Sequence, residues 1–599
     1  MNNNIKFGIS NFRVFKEMNN FEIAPITFLT GPNSSGKSSI IKAIQLFKDN
    51  SKGEMIPYKL SFDDNDSKLD NIESVLNNKD KDIEIEFETN FNLKVTLNYS
   101  NGQYHDEYDN IQIDRDSFIK NINIEFGGGT LVNINLLSFV EDVYFHIKNN
   151  ESTSDYTKYI NIENSYFDIN KFKLFFSSYL GKCIEDSKKT ITYLKSKNNN
   201  DSIGFFEKNK EDNLIKLNRI NNGTIFELFH EDELLSQSLG IDHDIKNIEQ
   251  DVINKLSFTD CDLIDYFTEH IKNRINEINH SLIQVDSVVQ FYIESFISAS
   301  ISFVGKKIQE RIDLVSSINY QVRFSEVGLF LIEDCTKYLF APIKEYLKDI
   351  NNIVPIPISK NLKDDSFFST KNVSNSFLGD IAKKYLEHSN LGSAGLEHEY
   401  LEKKWMSKDK FGIGKSIKID QWKSFFEISI IDFEDRKVSL KDMGYGVGQI
   451  ISLLLLPFEL KGFESCNFDY NFEFTLPSEF EKSNKIFYLE EPESNLHPKW
   501  QSLLVELLVE LNQIFGYRFI IESHSEYMIR KAQCLVAKQN EIQKVFKIYY
   551  FNGANINNDK KCFEIKINKS GMLDKDFGPG FFDESTNLTL DLLRINSLN

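Results

Sequence analysis

Gly31, Gly36, Lys37 and Ser38 stand in the run TFLTGPNSSGKSS (27–39) at the spacing G-x-x-x-x-G-K-[ST]. The chemistry this spacing serves is the cradling of phosphates: glycines let a short loop turn its backbone N–H groups inward, and a lysine and a hydroxyl follow where a helix begins. Asn33, Ser34, Ser35, Gly36, Lys37, Ser38 and Ser39 are therefore the expected contacts to a nucleotide's phosphates. Lys37 is placed to reach the β- and γ-phosphates, and Ser38 to ligate Mg²⁺. A second Gly-Lys-Ser, in FGIGKS (411–416), has Asp409 where the first glycine is needed, so it reads as a turn entering a strand.

A different run, IFYLEEPESNLHP (486–498), carries four apolar residues straight into Glu490 and Glu491. Carboxylates at the end of a buried strand are costly unless something offsets their charge. As bare strand ends they are surface caps; beside a phosphate loop they acquire a metal and a water molecule. Glu490 is then expected on the metal side, and Glu491 to position the attacking water, since phosphoryl transfer depends mainly on geometry and electrostatics. RFIIESHSEYMIR (518–530) is a second apolar strand with a polar end, and its His524 is expected to touch the γ-phosphate or support Glu491. Glu493, beyond Pro492, is left unassigned, a helix-start role being equally good.

The elements that must hold these residues follow from periodicity. IKFGISNFRVF and FEIAPITFLT read as strands before the loop, and IIKAIQLFK as the helix after it. DIEIEFETNFNLKVTLNYSNGQYHDEY alternates as antiparallel strands with an Asn-Gly turn. Apolar spacing of three and four predicts helices across 243–315 and through GLFLIEDCTKYLFAPIKEYLKDI, ending before the prolines of VPIPIS. Strands return at SIKID and FFEISIIDF, and the last 160 or so residues alternate helix and strand. The chain thus reads as an α/β core in two lobes, 1–105 and 401–599, around an insertion at 106–400 that is mixed, then mainly helical.

Length alone favours more than one domain in 599 residues. A net charge of −20 argues against a globally basic nucleic-acid surface, although Lys403, Lys404, Lys408, Lys410, Lys415 and Lys418 form a local basic run. The six cysteines show no C-x-x-C pair, which suggests neither a zinc site nor a disulfide scaffold and fits a reducing, cytoplasmic setting. IISLLLLPF (450–458) is too short to span a bilayer, so no membrane association is expected.

In this order the motifs resemble the ABC-type ATPase heads of the RecF, SMC and OLD groups, and most of all the stand-alone bacterial AAA-family ATPases of anti-phage systems. The resemblance covers residues 1–50 and 400–599. It makes Gly31–Ser38 the Walker A loop, Glu490 and Glu491 the Walker B acidic pair, Asn495–Pro498 part of the D-loop, and His524 the switch histidine. VSLKDMGYGVGQIISLLLLP (438–457) looks like the signature G-[FY]-G-x-S-Q through Gly444, Tyr445, Gly446 and Gln449, with Gly448 where serine is usual. The resemblance implies ATP and Mg²⁺ as ligands and slow hydrolysis. It also implies a homodimer in which Gly446, Gly448 and Gln449 of one head face the nucleotide of the other. Three roles stay open at this level: a sensor or regulator in defence that controls a separate nuclease or toxin, a repair or chromosome-maintenance ATPase that clamps DNA, and an ATP-held scaffold with little turnover.

Overall fold

The structure is a computed structural model of the chain; it describes residues 5–51, 55–62, 69–101, 103–105, 111–113, 116–136, 165–196, 202–222, 296–297, 299–300, 326–356, 367–369, 377–390, 396–422, 425–459, 483–553, 561–578 and 581–598. Apart from four residues, the helices expected across 243–315 lie outside the described residues. The chain divides into two compact units, one formed mainly by 3–20 and 42–351, the other by 21–41 and 352–599.

The first unit is built on an antiparallel sheet. Ile5–Ser10 pairs with Ile83–Glu88, which pairs with Leu93–Tyr99, then Ser117–Phe126 and Gly129–Asn135. Ile83–Glu88 buries every second residue, as its alternating sequence requires. The hairpin closes at Thr89–Asn92, where Thr89 N–H donates to Leu93 O at 2.8 Å and Asn92 takes φ 58°. The Asn-Gly dipeptide read as the turn begins at Asn101, and Gly102 lies outside the described residues. An aromatic cluster runs through the core, with Phe7, Phe47 and Phe87 in tilted contacts and Tyr346 stacked on Phe87, and Tyr346 donates to Lys6 O at 2.7 Å. Three long helices, Ile169–Ser196, Ile203–Asn222 and Glu326–Asn351, also belong to this unit.

The second unit carries a six-stranded sheet in the order Ile353–Ile356, Ile486–Glu490, Arg518–Glu522, Ile26–Thr30, Phe546–Phe551, Cys562–Ile565. The first five strands are parallel and the last is antiparallel. Parallel strands are covered on both faces, which is why IFYL, RFII and ITFL read as continuous apolar runs. Helices Pro498–Phe515 and Glu526–Lys538 supply apolar cover from Leu504, Leu508, Leu511, Met528, Ile529 and Ala532. A smaller antiparallel sheet pairs Ser416–Trp422 with Phe425–Ile431, and FGIGKS is the turn that enters it, with Gly412 at φ 65°. This is the mixed α/β architecture of a P-loop NTPase, with the functional loops at the carboxyl ends of the parallel strands.

Candidate nucleotide-binding site

Strand Ile26–Thr30 is wholly buried and delivers the chain into Gly31 at φ 141°, a conformation open to glycine. A Cβ on Gly31 would lie 2.4 Å from Phe551 O, so the neighbouring strand also demands glycine there. Ser34 at φ 59° and Gly36 at φ 110° curl the loop, and the helix Lys37–Asn50 starts directly after it. Lys37 folds back over this loop and donates to Gly31 O at 3.1 Å and Pro32 O at 2.9 Å. Its ammonium is almost fully buried, which lowers its pKa, while Glu522, Glu491 and Glu493 pull in the opposite direction. Ser35 Oγ, in the middle of the loop, is buried without a hydrogen-bond partner. A loop curled by positive φ, a buried cation and an unanswered hydroxyl bring together donors of the kind a triphosphate requires.

The parallel register sets the acidic side. Glu490 and Glu522 are direct partners at the ends of adjacent strands, and Glu522 is in turn partnered with Leu29, just ahead of the loop. Sequence reasoning singled out the first of these strand ends and missed the second, although RFIIE repeats the pattern of IFYLE. Glu522 is 6% exposed and accepts from Ser38 Oγ at 3.0 Å on each oxygen and from Tyr488 Oη at 2.9 Å. Lys37 Nζ stands 3.9 Å from Glu522 Oε1. Burial raises the Glu522 pKa, while the Tyr488 and Ser38 hydrogen bonds and the Lys37 charge act to lower it. Glu490 is exposed.

Glu491 is exposed and held at φ 44°. Its N–H donates to Glu522 O at 2.8 Å, its carbonyl accepts from Ser494 N–H at 3.0 Å, and its carboxylate accepts from Ser494 Oγ at 3.2 Å. A left-handed glutamate is uncommon outside glycine, asparagine and aspartate positions, and strain of this kind gathers at functional loops. Glu493 turns inward: its Oε1 accepts from His524 N–H at 2.6 Å, and burial raises its pKa. Glu493, unassigned from sequence, thus ties the two loops together. Gln501 makes a parallel tie, donating to Leu496 O at 2.9 Å and accepting from Ser525 Oγ at 2.6 Å. Ser525 also caps the following helix through Met528 N–H at 3.2 Å. His524, half-buried between these ties, has its pKa lowered by burial first and then by Lys37, with Glu491 opposing.

The signature residues sit elsewhere in this unit. Gly444 is the N-cap of helix Tyr445–Leu454, whose first turns bury Gly446, Gly448 and Gln449. A Cβ on Gly446 would meet Leu496 Cδ2 at 2.6 Å and Asn495 O at 3.1 Å, so this turn packs directly on the SNLHP segment. Gln449 Oε1 is buried without a partner. Asn33 and Ser34 are exposed on the loop, and Ser39 is buried at the first helical turn.

The basic run is largely answered inside its own unit. Lys404 pairs with Glu510 at 2.8 Å and Lys410 with Glu506 at 2.6 Å, both from helix Pro498–Phe515. Lys403, Lys415 and Lys418 pair with Glu399, Asp435 and Asp420, and Lys408 lies 5.0 Å over the Phe433 ring. These lysines serve packing between elements 96 to 106 residues apart and local charge balance.

The sheet order, the loop and its lysine define a P-loop nucleotide-binding domain. Residues 5–529 match the AAA ATPase domain, and the chain belongs to that family. Among solved structures it is similar to an Smc head domain with a coiled coil and joint from Pyrococcus yayanosii (12% identity, 95% of this chain and 98% of that one, TM-score 0.32). It is also similar to an Smc head with an extended coiled coil, bound to the C-terminal domain of ScpA, from Pyrococcus furiosus (11%, 99% and 99%, 0.29). A third is the SMC head domain from Thermotoga maritima (10%, 94% and 99%, 0.27). No curated protein matches the chain. Among the described residues no helix is long and apolar enough to cross a membrane.

Proposed function

We propose that this chain binds ATP with Mg²⁺ and hydrolyses it slowly, works as a dimer of heads, and acts as a sensor or regulator of a separate effector, a nuclease or toxin, in antiviral defence. The observation that carries the ATPase part is the meeting of Lys37, Ser38 and the strand-end carboxylates at one end of a single parallel sheet. The defence role rests on the family resemblance of the motifs.

In this reading the loop backbone from Asn33 to Ser39 and the Lys37 ammonium bind the phosphates. Lys37 exchanges its present carbonyl partners, Gly31 O and Pro32 O, for phosphate oxygens. Mg²⁺, when bound, neutralises phosphate charge, and Ser38 with the acidic strand ends would hold it. Glu491 orients the attacking water, its backbone fixed by Glu522 and its carboxylate steadied by Ser494. His524, whose backbone N–H is held by Glu493, contacts the γ-phosphate through its side chain in this reading. The signature turn at Gly446–Gln449 serves the partner's nucleotide, and its packing on Asn495–Leu496 links that surface to the loop following Glu491.

Replacing Glu491 with Gln and measuring ATP turnover and dimerisation together tests this function. The expected outcome is a loss of turnover of about 10² or more with ATP-dependent dimers retained. Unchanged hydrolysis would remove Glu491 from the water-positioning role. A protein whose wild type already lacks turnover but dimerises with ATP would be a scaffold.

A further inference from the structure

Two strand-end acids, Glu490 and Glu522, stand beside the phosphate loop, and their surroundings distinguish them. Glu522 stands closer to the Ser38 hydroxyl than the role of a strand end requires, and both of its oxygens are engaged with groups of the phosphate loop or the adjacent strand. We infer that Glu522, rather than Glu490, is the carboxylate on the metal side of the site, with Tyr488 as the residue that orients it. This inference rests on the nucleotide-binding reading above.

Three observations lead to it. The Ser38 Oγ to Glu522 separation is 3.0 Å. That equals the edge between adjacent oxygens of a magnesium octahedron, about 3.0 Å for metal–oxygen bonds of about 2.1 Å. The hydroxyl and carboxylate are therefore already spaced to share one ion, either directly or with one of them reached through water. Next, Tyr488 Oη donates to Glu522 Oε2 at 2.9 Å and holds that oxygen, while Ser38 Oγ reaches both oxygens and Lys37 stands by Oε1. A metal-side carboxylate is characteristically held in this way by a group behind it. Finally, Glu490 occupies the matching register position but is exposed, with water available to its charge.

The surroundings agree with this chemistry. Ser35 Oγ in the same loop is 1% exposed as a residue and lacks a partner, which marks a polar group awaiting a ligand. Among the described residues no cluster of three or more His, Cys, Asp or Glu side chains forms a self-contained metal site. Mg²⁺ suits such a place, since it commonly takes one or two protein oxygens and completes its shell from phosphates and water. The Ser38 hydroxyl and the Lys37 ammonium both stabilise the Glu522 carboxylate.

The test is Mn²⁺ binding to the full chain in the presence of ATP, read from the loss of the free-ion EPR signal. It is run on the wild type, Glu522→Gln, Glu490→Gln and Tyr488→Phe, beside ATP binding in EDTA. Gln at 522 keeps the acceptor for Ser38 and Tyr488, and circular dichroism checks that each variant folds. The expected result is about tenfold weaker Mn²⁺ binding for Glu522→Gln, a smaller loss for Tyr488→Phe, and a change within about twofold for Glu490→Gln, with metal-free ATP binding retained. A tenfold loss in Glu490→Gln with Glu522→Gln like the wild type overturns the inference. Absence of any ATP binding by the wild type instead overturns the nucleotide-site reading, and the metal assignment with it.

Discussion

The ends of strands Ile486–Glu490 and Arg518–Glu522 look alike in sequence and differ in burial and in the groups around them. Each is an apolar run closed by glutamate, and the two glutamates face one another in register. Glu490 is exposed, whereas Glu522 is buried among the Ser38 and Tyr488 hydroxyls and the Lys37 ammonium. The difference arises from neighbours: Glu522 sits on the strand beside Ile26–Thr30, one step from the phosphate loop, while Glu490 lies one strand further out. A carboxylate pattern thus marks a strand end, and the sheet order decides which one joins the site.

The largest expected effect that separates the two is Glu522→Ala. It strands a buried Lys37 and leaves the Ser38 and Tyr488 hydroxyls without their acceptor, and so should cost about 3–5 kcal/mol in a urea unfolding titration without nucleotide. A cost below about 1 kcal/mol would mean that Glu522 is no better anchored than Glu490.

Glu402 sharpens the comparison, because it is a buried carboxylate far from the phosphate chemistry in sequence. It accepts from Ile417 N–H, and burial pushes its pKa up to about 7. The nearby His398, packed against the Tyr385 and Phe458 rings, is held down at about 4 by burial. His398 Nδ1 lies 3.8 Å from Glu402 Oε2, but with these values both groups are neutral between about 4 and 7, so the contact is not an ion pair there. A raised folded-state pKa gives Glu402 a stabilising contribution that is full below its unfolded value and lost as pH rises through about 7. His398 has the opposite sign: its contribution is present above its unfolded value and lost as pH falls toward about 4. Glu402→Gln should therefore stabilise the protein by about 2–3 kcal/mol at pH 8 relative to wild type and by little at pH 5. Urea midpoints at the two pH values measure this; equal differences at both would rule out the buried, protonated Glu402.

Tyr488→Phe removes one donor to Glu522 while keeping the ring, with an expected loss of about 1–2 kcal/mol. The smallest effect belongs to Glu490→Ala, within about 0.5 kcal/mol in the same titration, as for an exposed position.

Much of the site is legible in the chain because its signals are local. Gly31–Ser38 announces its backbone demands through residue type, and positive φ at Gly31 and Gly36 bears these out. IFYLEE and RFIIESH reveal their strands through uninterrupted apolar runs. What is not legible depends on pairing across long separations. Glu522 becomes significant only once its strand lies between the Glu490 strand and the loop strand, and Ser38 is 484 residues away from it. Glu493 has no assignable role in the sequence until its contact with His524 N–H, 31 residues on, is in view. The lysines at 404 and 410 read as an open basic face, yet their acceptors, Glu510 and Glu506, belong to a helix with no local relation to them. Likewise the hairpin in the first unit turns at Thr89–Asn92, where backbone hydrogen bonding sets the register.

The central claim is that the loop from Gly31 to Ser38 is a nucleotide site completed by the acidic end of the strand beside it. Calorimetric titration of ATP with Mg²⁺ into the full chain and into Lys37→Ala tests it most directly. The account predicts saturable binding by the wild type and a loss of about a hundredfold or more in Lys37→Ala, since the ammonium meets the phosphates as a charge-assisted donor. Equal affinity in the two proteins, or no binding in either, would contradict it.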